Sequence, residues 1–277
     1  MTVTTASALQ SEEIKPEIGS RICNSKDELL GGGLAAELRG LLERRGVLVF
    51  PEVGFTPGEL VDFTATLGDY FPDTPSGAAL TLSYDPETNP SAEYIKGSFY
   101  WHFDGYMNEV PILASILTAE VLAPWGGETE FANTYAAWEQ LPAERQAQIE
   151  HLRAVHAMAQ AQLAVEPEPS YETFLQWLKV PSRELPLVWT HRSGRKSLVI
   201  GNSAAGIVGM DPLESRELLV WLRDWATQER FSYSHTWQVG DAVMWDNTGT
   251  LHRARSYPLD SGRTMLRTKL AGEEPFA

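Results

Sequence analysis

The sequence predicts an α+β protein with a β-barrel-like core. Short strand patterns crowd its second half, and helical patterns fall before, between and after them rather than alternating one for one. Strands are expected at residues 47–50, 112–120, 127–132, 186–191, 197–201, 241–245 and 264–270. A helix over 34–45 places Leu34, Leu38, Leu41 and Leu42 at helical spacing and stops at Gly46. Thr56 and Pro57 open a second helix to Leu67, the threonine as cap and the proline at the first helical position. Further helices are expected from 133 or 134 to 141, after Pro142, and from Asp211-Pro212 to about 227, the last with Leu213, Leu218, Leu219 and Leu222 as its apolar stripe. Residues 68–98, rich in Pro, Asp, Ser and Gly, read as a long loop, and such loops inside compact domains usually serve function.

With 277 residues and 43% hydrophobic content, one domain over 16–277 can bury its own core. Residues 1–15 have no apolar period and are expected to form a flexible arm, while 160–182, containing Glu166-Pro167-Glu168-Pro169, is expected to be a lid-like insertion. The 22 Lys and Arg against 37 Asp and Glu give a formal charge of -15 and a pI near 4.8, which repels phosphate backbones and anionic lipid. Neither nucleic acid nor membrane is expected as a partner. Cys23 is the single cysteine, so a metal here must be held by histidine and carboxylate. No run approaches the roughly 20 apolar residues of a membrane span, and residues 1–11 lack a secretion-signal pattern, so a cytoplasmic protein is expected.

Two motifs have the right letters in the wrong context. Gly31-Gly32-Gly33 matches dinucleotide-fingerprint spacing, but charged residues precede it where a buried strand is needed, and a helix lead-in is the better reading. Gly201-Asn202-Ser203-Ala204-Ala205 approaches the nucleophile elbow of serine hydrolases but lacks its second glycine. A hydrolase centred on Ser203 therefore stands as an alternative to a polar turn.

His102 and Asp104 are one residue apart, and in extended backbone residues i and i+2 share a face, so both heads can reach one ion while Phe103 packs the other way. His252, in Thr250-Leu251-His252-Arg253-Ala254, supplies a third ligand. Two imidazoles and a carboxylate on one side of an ion form the facial triad of non-heme Fe(II) oxygenases, which leaves positions for a chelating 2-oxo acid and for dioxygen. Arg263 and Arg267 are four positions apart, an even offset that keeps both guanidinium groups on one face of the 264–270 strand, and their fork matches carboxylate geometry.

These pieces together resemble the taurine dioxygenase / 2,4-dichlorophenoxyacetate dioxygenase family of Fe(II)- and 2-oxoglutarate-dependent oxygenases. The matching segments are Trp101-His102-Phe103-Asp104, Gly126-Gly127-Glu128-Thr129, 135–141, Thr190-His191 with 193–196, Trp245-Asp246-Asn247, and His252-Arg253-Ala254 with Arg263 and Arg267. The resemblance spans Val47 to Pro275. It implies a double-stranded β-helix, or jelly-roll, with flanking helices, and Fe(II) held by His102, Asp104 and His252. It further implies 2-oxoglutarate bound through Thr129 and Arg263, dioxygen as the second co-substrate, and Arg267 against the anionic group of a small-molecule substrate. A non-catalytic metal-binding jelly-roll is the other alternative, and a homo-oligomer fits the family.

Taurine enzymes of that family carry asparagine where this chain has Ser98, so taurine is not the expected substrate. Tyr100, Gly105, Tyr106 and Met107, with Phe99 nearby, suggest a larger and more apolar pocket, and Lys96 is a further candidate for an anionic head. The expected substrate is anionic with an apolar body, and is hydroxylated or cleaved after hydroxylation. His191 is given only a packing role.

Overall fold

The computed structural model describes residues 8–87, 89 and 92–277, and it contains the expected mixture of helices and sheets. Among the described residues the largest sheet has seven strands, ordered Ser11–Glu13, Ser20–Ile22, Val47–Phe50, Ala242–Asp246, Ala114–Val121, Thr264–Leu270 and Leu80–Leu82. All neighbours pair antiparallel except Ser20–Ile22 with Val47–Phe50. A three-stranded sheet of Ser232–His235, Thr129–Asn133 and Thr250–Ala254 packs against it, with the rings of Phe131 and Trp245 5.6 Å apart.

Period-two alternation divides the large sheet between two cores. Leu48, Phe50, Ile116 and Met244 face the helices Ala35–Arg45 and Pro57–Leu67, meeting Leu38, Leu42, Leu60 and Phe63. Val47, Val49, Leu117, Val243 and Trp245 face the other way, toward Phe131 and Trp237. Burial on both faces explains why these strands read as continuous apolar runs.

Helix starts follow local chemistry. Thr56 and Glu59 form a reciprocal capping box ahead of Pro57–Leu67, and Asp211 accepts from the Leu213 and Glu214 amides at the start of Pro212–Ala226. Asn133 caps Thr134–Glu139 and ties that corner back through a bond to the Glu17 carbonyl. Gly31 caps the short helix Lys26–Leu30, so the glycine run follows a helix, where a dinucleotide fingerprint would need a strand.

Several expectations need correction. Residues 11–13 do not belong to a flexible arm, because Ser11–Glu13 forms an edge strand paired with Ser20–Ile22; residues 1–7 of the expected arm lie outside the described residues. Leu213 does not join the apolar stripe of its helix and is 81% exposed, while Leu218, Leu219 and Leu222 are buried. The long loop holds the strand Leu80–Leu82 and the 3-10 helix Ala92–Phe99. A further sheet of Ala204–Ile207, Arg153–His156 and Arg183–Pro186 was not expected. The 160–182 segment contains most of the helix Met158–Leu163 and all of Tyr171–Trp177, with Trp177 buried and Tyr171 exposed. No helix among the described residues is long and apolar enough to cross a membrane.

Candidate active site

Two backbone hydrogen bonds bring distant parts of the chain to one point. The His102 amide donates to the His252 carbonyl at 3.0 Å, and the His252 amide donates to the His102 carbonyl at 2.8 Å. Their rings lie 4.1 Å apart, and Trp245 packs against His252 at 4.8 Å. Asp104 follows on the same extended segment, with Oδ1 3.9 Å from His102 Nε2 and 4.0 Å from His252 Nε2. One ligand atom from each residue lies within 4.8 Å of the other two. His102 Nδ1 is 2.8 Å from the Tyr100 carbonyl, so that nitrogen is the donor and Nε2 keeps its lone pair for the centre.

The donor set fits a divalent ion. The separations of 3.9 and 4.0 Å are too long for hydrogen bonds, and Asp104 Oδ2 is buried without a hydrogen-bond partner among the described residues. Burial opposes ionisation of Asp104, but its neighbours outweigh it and hold the carboxyl well below the usual range: His252 and His102 when they are protonated, and the cationic Arg267 and Lys269 when the imidazoles are neutral. Burial, and then His102, keep His252 neutral far below its ordinary pKa. An anionic carboxylate and a neutral imidazole are the forms that ligate a metal.

This centre opens into a cavity of about 610 Å³. Arg263, just before the Thr264–Leu270 strand, lines it and is only 8% exposed. Its Nη2 donates to the Gly127 carbonyl at 3.1 Å and its guanidinium lies 4.6 Å over the Tyr257 ring. Gly127 adopts φ +78°, and a Cβ there would come within 3.0 Å of Arg263 Nε, so the missing side chain makes room for the arginine. Among the described residues no carboxylate pairs with this guanidinium. A buried cation with no counter-ion favours an incoming anion. Thr129 lines the same cavity and accepts from Trp237 Nε1 at 3.0 Å.

Arg267 reaches the cavity from the same strand. Its Nη1 is 3.6 Å from Asp104 Oδ2 and its Nη2 is 3.2 Å from Asp73 Oδ2. Ser98, Gly105 and Tyr106 also line the space, together with Leu80, Leu82, Ile95, Phe103 and Leu117. Tyr100 and Met107 do not. Tyr100 sits on the bend after the 3-10 helix, where strand alternation no longer holds, and lines a separate groove with Trp101 and Arg253. Met107 is exposed at the tip of a turn closed by the Asn108 amide on the Gly105 carbonyl. Lys96 is exposed outside the cavity, and Phe99 packs edge-on against Tyr257.

Asp73, Asn202, Ser203, Trp245 and Tyr257 are lining residues that the sequence reading did not place in the site. Ser203 Oγ lies 2.9 Å from His156 Nδ1, which revives the hydrolase alternative only in outline. Ser203 precedes a strand rather than a helix, no carboxylate among the described residues orients His156, and burial lowers that histidine's pKa to about 4, making it a weak base. His191 does more than pack, because its Nδ1 meets Glu274 at 2.8 Å and its Nε2 meets Ser197 at 2.8 Å, away from the metal-ligand cluster.

Residues 10–269 match the family model described as taurine catabolism dioxygenase TauD, TfdA family. The alpha-ketoglutarate-dependent 2,4-dichlorophenoxyacetate dioxygenase of Cupriavidus pinatubonensis is 33% identical over 263 residues, which cover 87% of this chain and 89% of the relative. The (S)-phenoxypropionate/alpha-ketoglutarate-dioxygenase of Sphingobium herbicidovorans is 33% identical over 241 residues, 82% of each chain. The crystal structure of AAD-2 with Mn(II) and N-oxalylglycine superposes with a TM-score of 0.82 at 29% identity, covering 98% of this chain and 100% of the other. The chain belongs to the TauD/TfdA family of Fe(II)- and 2-oxoglutarate-dependent dioxygenases.

Proposed function

We propose that His102, Asp104 and His252 hold the iron, that Arg263 and Thr129 bind the distal carboxylate of 2-oxoglutarate, and that Arg267 receives the carboxylate of an aryloxyalkanoic acid. The observation that carries the reading is Arg263, a buried guanidinium with no carboxylate partner among the described residues, in the cavity of a three-donor centre. The substrates in the names of the two relatives, 2,4-dichlorophenoxyacetate and (S)-phenoxypropionate, combine one carboxylate with an aromatic body. Leu80, Leu82, Ile95 and Phe103 offer that body an apolar wall, and Arg267 offers the head a cation.

The bound ferrous ion, with 2-oxoglutarate and dioxygen, supplies the oxidant that hydroxylates a C–H bond. The chain's own residues position and exclude. The Tyr100 carbonyl fixes the His102 ring, Trp245 and Phe131 press on His252, and the apolar wall keeps water from the reacting carbon. Because Asp104 occupies the carboxylate position, no ligand position is vacated for a halide, and hydroxylation is the outcome. Hydroxylation at a carbon that bears an ether oxygen gives a product that collapses to a phenol and an oxo acid, so the net reaction is cleavage.

The two packed sheets fit a double-stranded β-helix with flanking helices, as one domain over about residues 11–277, since the Ser11–Glu13 strand belongs to the main sheet. Within 160–182, Ala161 lines the cavity, which fits a covering segment. A cytoplasmic enzyme with an exposed free Cys23, assembled as a homo-oligomer, completes the reading.

Succinate release tests it. With Fe(II), 2-oxoglutarate and a panel of phenoxyacetates, turnover is expected to be substrate-dependent and to disappear in His102→Ala. Metal binding without succinate from any anionic substrate would favour a non-catalytic metal protein.

A further inference from the structure

Arg267 carries less free charge than its position suggests. Asp73 stands on the loop before Leu80–Leu82 and lines the cavity beside it. One Asp73 oxygen meets Arg267 Nη2 at 3.2 Å and the other pairs with Lys269 Nζ. Lys269 is 9% exposed, and its ammonium lies 5.1 Å over the Phe71 ring. The loop is held to the same strand by backbone, with the Phe71 amide on the Lys269 carbonyl and the Ala271 amide on the Asp69 carbonyl. Asp73 is therefore a fixed member of the pocket.

The two charges of a ferrous ion are met by Asp104 and one carboxylate of 2-oxoglutarate, and the other carboxylate is met by Arg263. Among the described residues Arg267, Lys269 and Asp73 remain, with one positive charge unmatched. Without Asp73 the unmatched charge would be two.

We propose that Asp73 is the specificity-determining residue that restricts this pocket to singly charged anionic heads, such as carboxylates, sulfonates and sulfate monoesters, and rejects doubly charged ones such as phosphate monoesters. The proposal rests on Arg267 as the partner of the substrate's anion. Asp73 acts through charge, so its effect scales with the charge of the ligand. A residue that merely braced the loop would change the affinity of both classes together.

The test uses ligand pairs with one body and two heads: phenoxyacetate with phenyl phosphate, and hexyl sulfate with hexyl phosphate, at about pH 8 where the phosphates are dianions. Binding is measured by calorimetry on protein loaded with Mn(II) and N-oxalylglycine, so no turnover is needed. Wild type is expected to bind the monoanion of each pair more tightly. Asp73→Asn is expected to raise the dianion-to-monoanion affinity ratio about tenfold or more, and Lys269→Gln to lower it by a similar factor. Asp73→Glu is expected to restore the wild-type ratio. Equal wild-type affinities, or a ratio unmoved by Asp73→Asn, overturns the proposal and leaves the oxygenase assignment standing. If none of these proteins binds either monoanion, the proposal falls together with the reading of Arg267 on which it rests.

Discussion

The ring of Phe276 packs against Phe103, edge to face at 6.3 Å, and against Trp189 at 4.6 Å. Phe103 lies between His102 and Asp104, so the C-terminal segment buttresses the ligand-bearing triplet from behind. Glu274 draws that segment into place by accepting from the Arg192 amide at 2.9 Å and meeting His191 Nδ1 at 2.8 Å. Phe276→Ala removes a partly buried ring and is expected to cost about 1–3 kcal/mol, below the range for a fully buried phenylalanine. It should also speed release of Fe(II) to a chelator. Unfolding and chelator-competition measurements check both, and wild-type values in both would show that the tail is not a buttress.

Arg263 is expected to carry most of the affinity for 2-oxoglutarate. Breaking a desolvated ion pair costs about 3–5 kcal/mol, and at about 1.4 kcal/mol per tenfold Arg263→Ala should weaken 2-oxoglutarate on the order of a hundredfold or more. The KM for 2-oxoglutarate reports this, and an unchanged value would remove Arg263 from the co-substrate site.

Gly127 should be nearly as sensitive as the arginine it accommodates. A Cβ at Gly127 meets Arg263 Nε at 3.0 Å and must be carried on backbone at φ +78°. Gly127→Ala is expected to cost about 1–3 kcal/mol in stability through the strained backbone and to raise the KM for 2-oxoglutarate by displacing the guanidinium. Thermal unfolding and steady-state kinetics test the pair of effects, and a variant with wild-type stability and KM would contradict the fit.

The pH dependence of stability has a contribution away from the ligand atoms. Burial lowers the pKa of His156 from 6.5 to about 4. The unfolded chain therefore binds more protons between those values, and the stabilisation present above pH 6.5 is lost as pH falls toward 4. At about 1.36 kcal/mol per pKa unit, the loss from this residue is on the order of 3 kcal/mol. Denaturant unfolding of wild type and His156→Gln across this range should show a shallower acid slope in the variant. Parallel curves would mean that His156 does not titrate between folded and unfolded states.

Local pattern revealed the parts of this fold whose signal is local. Thr264–Leu270, Val47–Phe50 and the capped helices announce themselves through apolar runs, Thr56-Pro57 and Asp211-Pro212. The strands Ser11–Glu13, Arg153–His156, Ala204–Ile207 and Ser232–His235 are too short or too polar to show a period. His102, Asp104 and His252 could be singled out by residue type and spacing, but their convergence depends on backbone pairing that no local pattern records. Asp73 left no trace in sequence, because its meaning comes from Arg267, 194 residues away. Tyr100 and Met107 flank the ligand triplet in sequence but lie outside the cavity, because Tyr100 stands on a bend and Met107 at the tip of a turn.

The central claim is that three side chains share one metal ion. Crystals of the protein soaked with Mn(II) and N-oxalylglycine should show a single anomalous peak within coordination distance of His102 Nε2, His252 Nε2 and an Asp104 carboxylate oxygen, with the distal carboxylate of the analogue on Arg263. A peak elsewhere, or a peak that lacks any one of the three, contradicts the account.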